Sequence, residues 1–264
     1  MIHIIFGGPG KGKSSLQACI AKSMFREHGR SIMRNCRAMI DSARADGHEL
    51  SYPDHVPIFS DFPMRFKTGY EKYRETYFVN GYYLGLPNDS QPVMAVPPGS
   101  VIFLSEAQRY YDSRKSKTFP EWVSRFYEMH RHYGLEIYMD IQRPILVDAN
   151  IRELCEDFIE IVELEHEHNF AGRIDGSVWH CRRWTEWKRV EQYQNTGEKN
   201  FEEFDARNVG NIFDSFNSFT YFGNFLPQED FPFLTFSPTE EEKKHYAAYY
   251  DITVPKTFRG GKAS

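Results

Sequence analysis

The chain has 264 residues, with 32 Lys and Arg against 37 Asp and Glu and a formal net charge of −5. No overall basic field advertises a nucleic-acid partner, so such a contact must be made by a local patch. Apolar residues make up 41%, an ordinary globular composition, and at roughly 150 residues per domain the length allows one large domain or one domain with an appendage. Cysteines 19, 36, 155 and 181 form no C-x-x-C pair, which favours free thiols in a reducing compartment over a disulfide or zinc framework. The longest uncharged stretch, 90–105, is broken by Pro92, Pro97 and Pro98 and is no spanning helix. Ile2 to Phe6 lacks the basic flank of a signal peptide.

Ile2, Ile4, Ile5 and Phe6 read as a strand buried on both faces, and Ser14 to Phe25 carries Leu16, Ile20 and Met24 at helical spacing. Between them, Gly7-Gly8-Pro9-Gly10-Lys11-Gly12-Lys13-Ser14 is a complete G-x-x-x-x-G-K-S match in the strand-to-helix context that the phosphate-binding P-loop requires. Glycine lets such a loop turn its backbone N–H groups inward beside the positive end of the following helix, which makes a nest for polyphosphate. Gly7 to Ser14, with Ser15, is therefore the expected ATP site. Lys13 is expected to reach the β and γ phosphates, and the Ser14 hydroxyl to ligate Mg²⁺.

Residues 31–45 place Ile32, Cys36, Met39, Ile40 and Ala43 at helical spacing. Arg30, Arg34, Arg37 and Arg44 lie opposite, either as a solvated face or as contacts to DNA phosphates or a neighbouring protomer. A strand over 56–60 follows. The aromatic segment 70–83 (Tyr70, Tyr73, Tyr77, Phe78, Tyr82, Tyr83, with Lys72 and Arg74) fits a helix face packed on a sheet, the alternative being a stacking platform for single strands. The proline-bearing stretch 87–98 reads as a surface loop.

Val101-Ile102-Phe103-Leu104 followed by Ser105-Glu106-Ala107-Gln108 has the form of a Walker B strand. Such a strand is expected beside the P-loop strand, with Glu106 at its C-terminal end to orient or deprotonate the attacking water. The usual pattern ends in Asp-Glu, and here Ser105 stands where the metal-supporting Asp is expected. Ser105 can hydrogen-bond a metal-bound water but brings no negative charge, so a weaker Mg²⁺ site follows unless another carboxylate helps, such as Asp61 or Asp140. Arg109, Arg114, Lys115 and Lys117 make a basic loop just beyond, and Arg109, Arg125, Arg131 and Arg143 are the candidates for an arginine finger.

Glu121 to Arg131 is amphipathic, with Trp122, Phe126 and Met129 on one side, and Leu135 to Ile141 reads as the next strand. Gln142, at its end, is placed as a γ-phosphate sensor. Phe158 to Leu164 suits a last buried strand, and 176–190 looks like hairpin-forming β structure. His166 and His168 share one strand face and His180 and Cys181 lie on a later strand, which makes a metal cluster conceivable although spacing alone does not bring them together. Beyond about 191 the chain is polar, then aromatic at 213–225, without a catalytic signature.

The chain resembles the zonular occludens toxin domain proteins, which include the filamentous-phage gene-one assembly ATPases. The resemblance rests on Gly7 to Ser14, on Val101 to Gln108, and above all on His130-Arg131-His132-Tyr133-Gly134-Leu135-Glu136-Ile137 running to Ile141-Gln142, followed by Val147-Asp148 and Ile151-Arg152. It covers roughly residues 1–165, with a weaker echo at Ile212 to Phe216. It implies a RecA-like P-loop ATPase in the bacterial host cytoplasm, at the cytoplasmic face of the inner membrane. Such a protein drives assembly and extrusion of single-stranded-DNA filamentous phage. The implied cofactors are ATP and Mg²⁺. The implied partners are further copies of the chain in a ring, phage coat protein or single-stranded DNA, and export components that span the envelope. In that family a transmembrane helix usually follows the ATPase domain. The tail carrying Lys256, Arg259 and Lys262 would suit its cytoplasmic flank or a disordered terminus equally.

The expected architecture is α/β: a three-layer RecA-like P-loop NTPase core with a parallel central sheet over 1–165, then a mixed β-containing appendage over 166–264. The expected site is Lys13, Glu106 and Gln142 in catalysis, Gly7 to Ser15 on the nucleotide, and Ser14 on Mg²⁺ with Ser105 contributing through water. An ATP-binding assembly scaffold with slow or no hydrolysis is the alternative that the Ser105 departure suggests.

Overall fold

The computed structural model describes residues 1–216 apart from 49, 63, 68–72, 80, 82–83, 87–92, 95 and 119–120. β1 (Ile2–Phe6) is buried along its whole length and feeds through the glycine loop into α1 (Lys13–Ser23). A π turn over Met24–His28 joins α1 to α2 (Gly29–Ala45). β2 (Ile58–Ser60) is followed by four short strands: β3 (Arg65–Lys67), β4 (Tyr73–Glu75), β5 (Tyr77–Phe78) and β6 (Gly85–Leu86). Then come β7 (Val93–Met94), β8 (Val101–Leu104), α3 (Glu121–Met129), β9 (Glu136–Ile141) and α4 (Ala149–Glu153). β10 (Asp157–His168), β11 (Ile174–Trp184), α5 (Trp187–Thr196) and β12 (Glu202–Val209) complete the described elements.

Eight strands form one sheet in the order β12-β11-β10-β1-β9-β8-β2-β5. The run from β10 to β5 is parallel, while β11 and β12 are added antiparallel at one edge. The central strands read as unbroken apolar runs because both faces are covered, the usual state of a parallel sheet. Ile2, Ile4, Ile102, Leu104, Ile137 and Met139 pack on one face with Val123, Phe126 and Tyr127 of α3 and Trp187 of α5. Ile5, Val101, Phe103, Ile159 and Ile161 pack on the other with Leu16, Ala18 and Ala21 of α1. The result is the expected three-layer α/β arrangement.

Across the middle of the sheet, His3 of β1 faces Asp157 of β10 on one side and Tyr138 of β9 on the other. Its Nδ1 lies 3.0 Å from Asp157, its Nε2 lies 3.5 Å from Glu136, and its ring stacks on Tyr138. Burial alone would lower the His3 pKa, but the two carboxylates outweigh it and raise the value.

Several expectations change. β9 lies between β1 and β8, so the Walker B strand is not the neighbour of the P-loop strand. The chain crosses from β1 to β2 over two empty positions in the sheet, and β8 and then β9 fill them inward. Tyr73 and Tyr77 stand on β4 and β5 rather than on a helix face; there the Tyr77 ring stacks on His55 and Phe59. The β structure expected over 176–190 stops at Trp184, and α5 begins at Trp187. β10 runs through residue 165, and the following hairpin continues the same sheet. The aromatic stretch beyond 216, the tail with Lys256, Arg259 and Lys262, and Tyr70, Lys72, Tyr82 and Tyr83 lie outside the described residues.

Candidate functional site

The glycine loop sits at the C-terminal ends of the parallel strands, where open α/β sheets bind their ligands. Gly10 and Gly12 take left-handed backbone, φ 77° and 74°, which the loop needs to aim its amides inward. Gly12 has no room for a side chain: a Cβ there would stand 2.5 Å from Leu164 Cδ2 and 2.8 Å from Ser15 Oγ. Its carbonyl accepts from Leu16 N, from Ser15 Oγ at 2.7 Å and from Trp179 Nε1 at 3.2 Å. Lys11 Nζ donates to the Val162 carbonyl of β10 at 2.8 Å. Ser15 and Lys11 thus brace the loop from behind, while Gly8, Pro9 and Gly10 are exposed. Lys13 Nζ donates to the Gly7 and Gly8 carbonyls at 3.1 and 3.3 Å, so its charge lies over the loop where polyphosphate is expected.

Ser14, at the start of α1, reaches the strand ends. Its hydroxyl donates to Asp140 Oδ2 at 3.0 Å and lies 3.4 Å from Ser105 Oγ. Asp140 is fully buried near the end of β9, and its Oδ1 accepts from the Glu106 amide at 2.8 Å. Burial pushes its pKa up, opposed by that amide and by the Lys13 charge. Glu106 is the one described residue other than glycine with positive φ, 47°, a left-handed backbone that costs about 1–2 kcal/mol. The Asp140 bond to its amide helps to hold that conformation, which turns the chain sharply after β8 and leaves the Glu106 side chain half exposed, 3.8 Å from Arg109.

Asp61, beyond β2, is also buried, but both its oxygens are engaged away from the loop. Oδ1 accepts from the Ser105 amide at 2.9 Å and Oδ2 from Tyr110 Oη at 2.7 Å. Burial raises its pKa to about 7, against the Tyr110 and Ser105 hydrogen bonds. Gln17, buried on α1, donates to the Leu104 carbonyl at 2.9 Å and seats the helix on the end of β8.

Ser14, Ser105, Asp140 and the Glu106 backbone therefore meet, and the Lys13 charge acts on Asp140. Gln142 is exposed past the end of β9, and the side chain from that strand that touches the loop is Asp140. Arg109 donates from its guanidinium to the Ser105 carbonyl at 3.1 Å and lies 3.8 Å from Glu106. Arg131 is ion-paired with Glu156, and Arg143 is exposed. His166 bonds Ser177 and His180 bonds Asp205. Among the described residues no group of three or more His, Cys, Asp or Glu is arranged to hold a metal ion. Sequence reasoning named Asp140 and Asp61 only as possible substitutes, and missed Gln17, Tyr110 and Trp179. Asp140 carried a signal as a carboxylate near a strand end two residues before Gln142; Trp179 carried none, because its contact spans 167 residues.

A parallel sheet whose first strand runs through G-x-x-x-x-G-K-S into a helix, with carboxylate-bearing strand ends opposite, defines a P-loop NTPase fold. Residues 88–166 match the family model for Zonular occludens toxin (Zot), so the resemblance seen in Val101 to Gln108 and His130 to Gln142 is borne out over that stretch. Among solved structures the chain is similar to the N-terminal domain of zonular occludens toxin from Neisseria meningitidis. That pair has 17% identity and a TM-score of 0.45, covering 82% of this chain and 98% of that one. It is also similar to the genome packaging NTPase B204 of Sulfolobus turreted icosahedral virus 2 in complex with ATP-gammaS. Here identity is 9% and the TM-score 0.35, over 76% of this chain and 95% of the other. No curated protein matches the chain by sequence.

Proposed function

We propose that the chain is an ATPase of the zonular occludens toxin type, in which ATP binds across Gly7 to Ser15 and hydrolysis drives assembly and extrusion of a filamentous, single-stranded-DNA phage at the inner membrane of its bacterial host. The observation that carries the reading is that Asp140 joins the Ser14 hydroxyl, at 3.0 Å, to the Glu106 amide, at 2.8 Å, while Lys13 lies on the Gly7 and Gly8 carbonyls and its charge acts on the same carboxylate. Lys13 supplies charge to the β and γ phosphates, and the loop amides bind the remaining oxygens. Glu106 takes the proton of the attacking water, which needs a carboxylate free to approach the γ-phosphate; its half-exposed side chain meets that need. Gln142 senses the γ-phosphate from the neighbouring strand end.

The donor set suits Mg²⁺: a hydroxyl oxygen on α1, a second hydroxyl on Ser105 and a buried carboxylate, all hard oxygen ligands or their supports. Bound there, Mg²⁺ would supply positive charge against the triphosphate; Ser14 would hold it, and Ser105 would contribute through a water.

The division of the chain follows from this reading. Residues 1–165 carry the nucleotide chemistry, and the region after them, whose strand β11 backs the loop through Trp179, meets partners. Copies of the chain in a ring, with Arg109, Arg125 or Arg143 reaching a neighbour's nucleotide, coat protein or single-stranded DNA as cargo, and envelope-spanning export components complete the proposed machine. Among the described residues no helix is long and apolar enough to cross a membrane.

An assembly scaffold that binds ATP and turns it over slowly is the second reading. It is favoured by Ser105, which brings no charge to the metal, and by Arg109, 3.8 Å from Glu106. Steady-state phosphate release from wild type and Glu106→Gln separates the two. A motor loses turnover by about 100-fold or more in the variant with ATP binding retained, in the range typical of a general base. Equal turnover in both proteins contradicts the assignment of Glu106.

A further inference from the structure

Position 105 poses an electrostatic problem. A divalent cation beside a triphosphate is served by a carboxylate near the P-loop hydroxyl, and the residue after β8 that is expected to supply it is a neutral serine. Two buried carboxylates stand nearby, and their hydrogen bonds distinguish them. Asp61 spends one oxygen on the Ser105 amide and the other on the Tyr110 hydroxyl, so it holds the end of β8 and the Tyr110 ring. Asp140 spends one oxygen on the Glu106 amide and turns the other to the Ser14 hydroxyl. It is the carboxylate in contact with the P-loop itself.

We propose that Asp140 is the acidic positioning residue of the cation site, and that its carboxylate, carried on β9 rather than β8, replaces the charge absent at Ser105. The inference rests on the reading of the loop as a nucleotide site. By accepting the hydrogen bond of the Ser14 hydroxyl, Asp140 fixes the rotation of that hydroxyl, so that the oxygen lone pairs are left for Mg²⁺. Its negative charge favours the cation from behind the ligand. The Asp140 bond to the Glu106 amide ties the same carboxylate to the left-handed turn that carries the general base. One buried side chain therefore aligns the metal ligand and the base together. β9 lies between β1 and β8, which places a strand-end carboxylate between the loop and Glu106.

The test is Mn²⁺ affinity, read by electron paramagnetic resonance on protein saturated with ATP-gammaS, beside the affinity for the same nucleotide in chelator. Asp140→Asn is nearly isosteric and keeps an acceptor for the Glu106 amide; Asp140→Ser, smaller and still able to accept, is measured with it, and the result is taken on whichever melts cooperatively. The expected result is a loss of Mn²⁺ affinity of about 10- to 100-fold, the usual effect of removing a group that orients a metal ligand, with metal-free nucleotide affinity within about threefold of wild type. Adding Ser105→Asp to the Asp140 variant should recover most of the loss, which a merely structural role for Asp140 would not allow. Wild-type Mn²⁺ affinity in a folded Asp140 variant overturns the inference alone, and a wild-type protein that holds no nucleotide overturns both it and the reading beneath it.

Discussion

Asp61 shows how one buried side chain links the site to solution conditions. Its pKa stands at about 7 against an ordinary value of 3.8, chiefly because burial disfavours the charged form. Between those values the folded protein keeps a proton that the unfolded chain releases, so this residue's contribution to stability falls as pH rises from about 4 to about 7. Asp61→Asn can still accept from the Ser105 amide and can donate to the Tyr110 oxygen, while lacking the titration. Urea unfolding of both proteins at pH 4.5 and pH 7.5 should therefore show wild type losing stability relative to the variant at the higher pH. A difference that does not change with pH contradicts the assignment. At this scale the sequence told residue types and order but not partners: Gly12 and Lys13 were readable from spacing alone, whereas the choice between Asp61 and Asp140 depended on which strand end each side chain meets.

The P-loop is held by elements far from it in the chain. β11 belongs to the region expected to be an appendage, yet Trp179 on it is fully buried and donates to the Gly12 carbonyl, the same atom that accepts from the Ser15 hydroxyl. Leu164 on β10 closes the space beside Gly12. Trp179→Phe keeps most of the ring packing and removes the donor, so it should cost about 1 kcal/mol of stability and weaken nucleotide binding several-fold. Thermal melting and a fluorescent-nucleotide titration check this, and a variant equal to wild type in both would show that the hairpin does not support the loop. β1, β8, α2 and α3 were legible because apolar runs and 3.6-residue periodicity are local signals. α5 was hidden because Trp184 and Trp187 continue the aromatic pattern of β11 across a strand-to-helix junction.

For the whole molecule, strand order decides the chemistry. The class of fold followed from the glycine loop between an apolar strand and a helix, and no local pattern specified that β9 would enter between β1 and β8. That insertion moves Walker B one strand away from the P-loop strand and sets Asp140 in the interval, so a departure that looked like a loss at Ser105 is answered from another element. Net charge, −5, gave no guide to partners, in keeping with a site built from a few converging groups. The central claim is that the amino-terminal loop grips a triphosphate through Lys13 and its amides. Equilibrium binding of ATP in chelator to wild type and to Lys13→Ala tests it most directly. The account predicts measurable affinity in wild type and a loss of about tenfold or more, roughly 1.4 kcal/mol, in the variant; equal affinities in two folded proteins would contradict it.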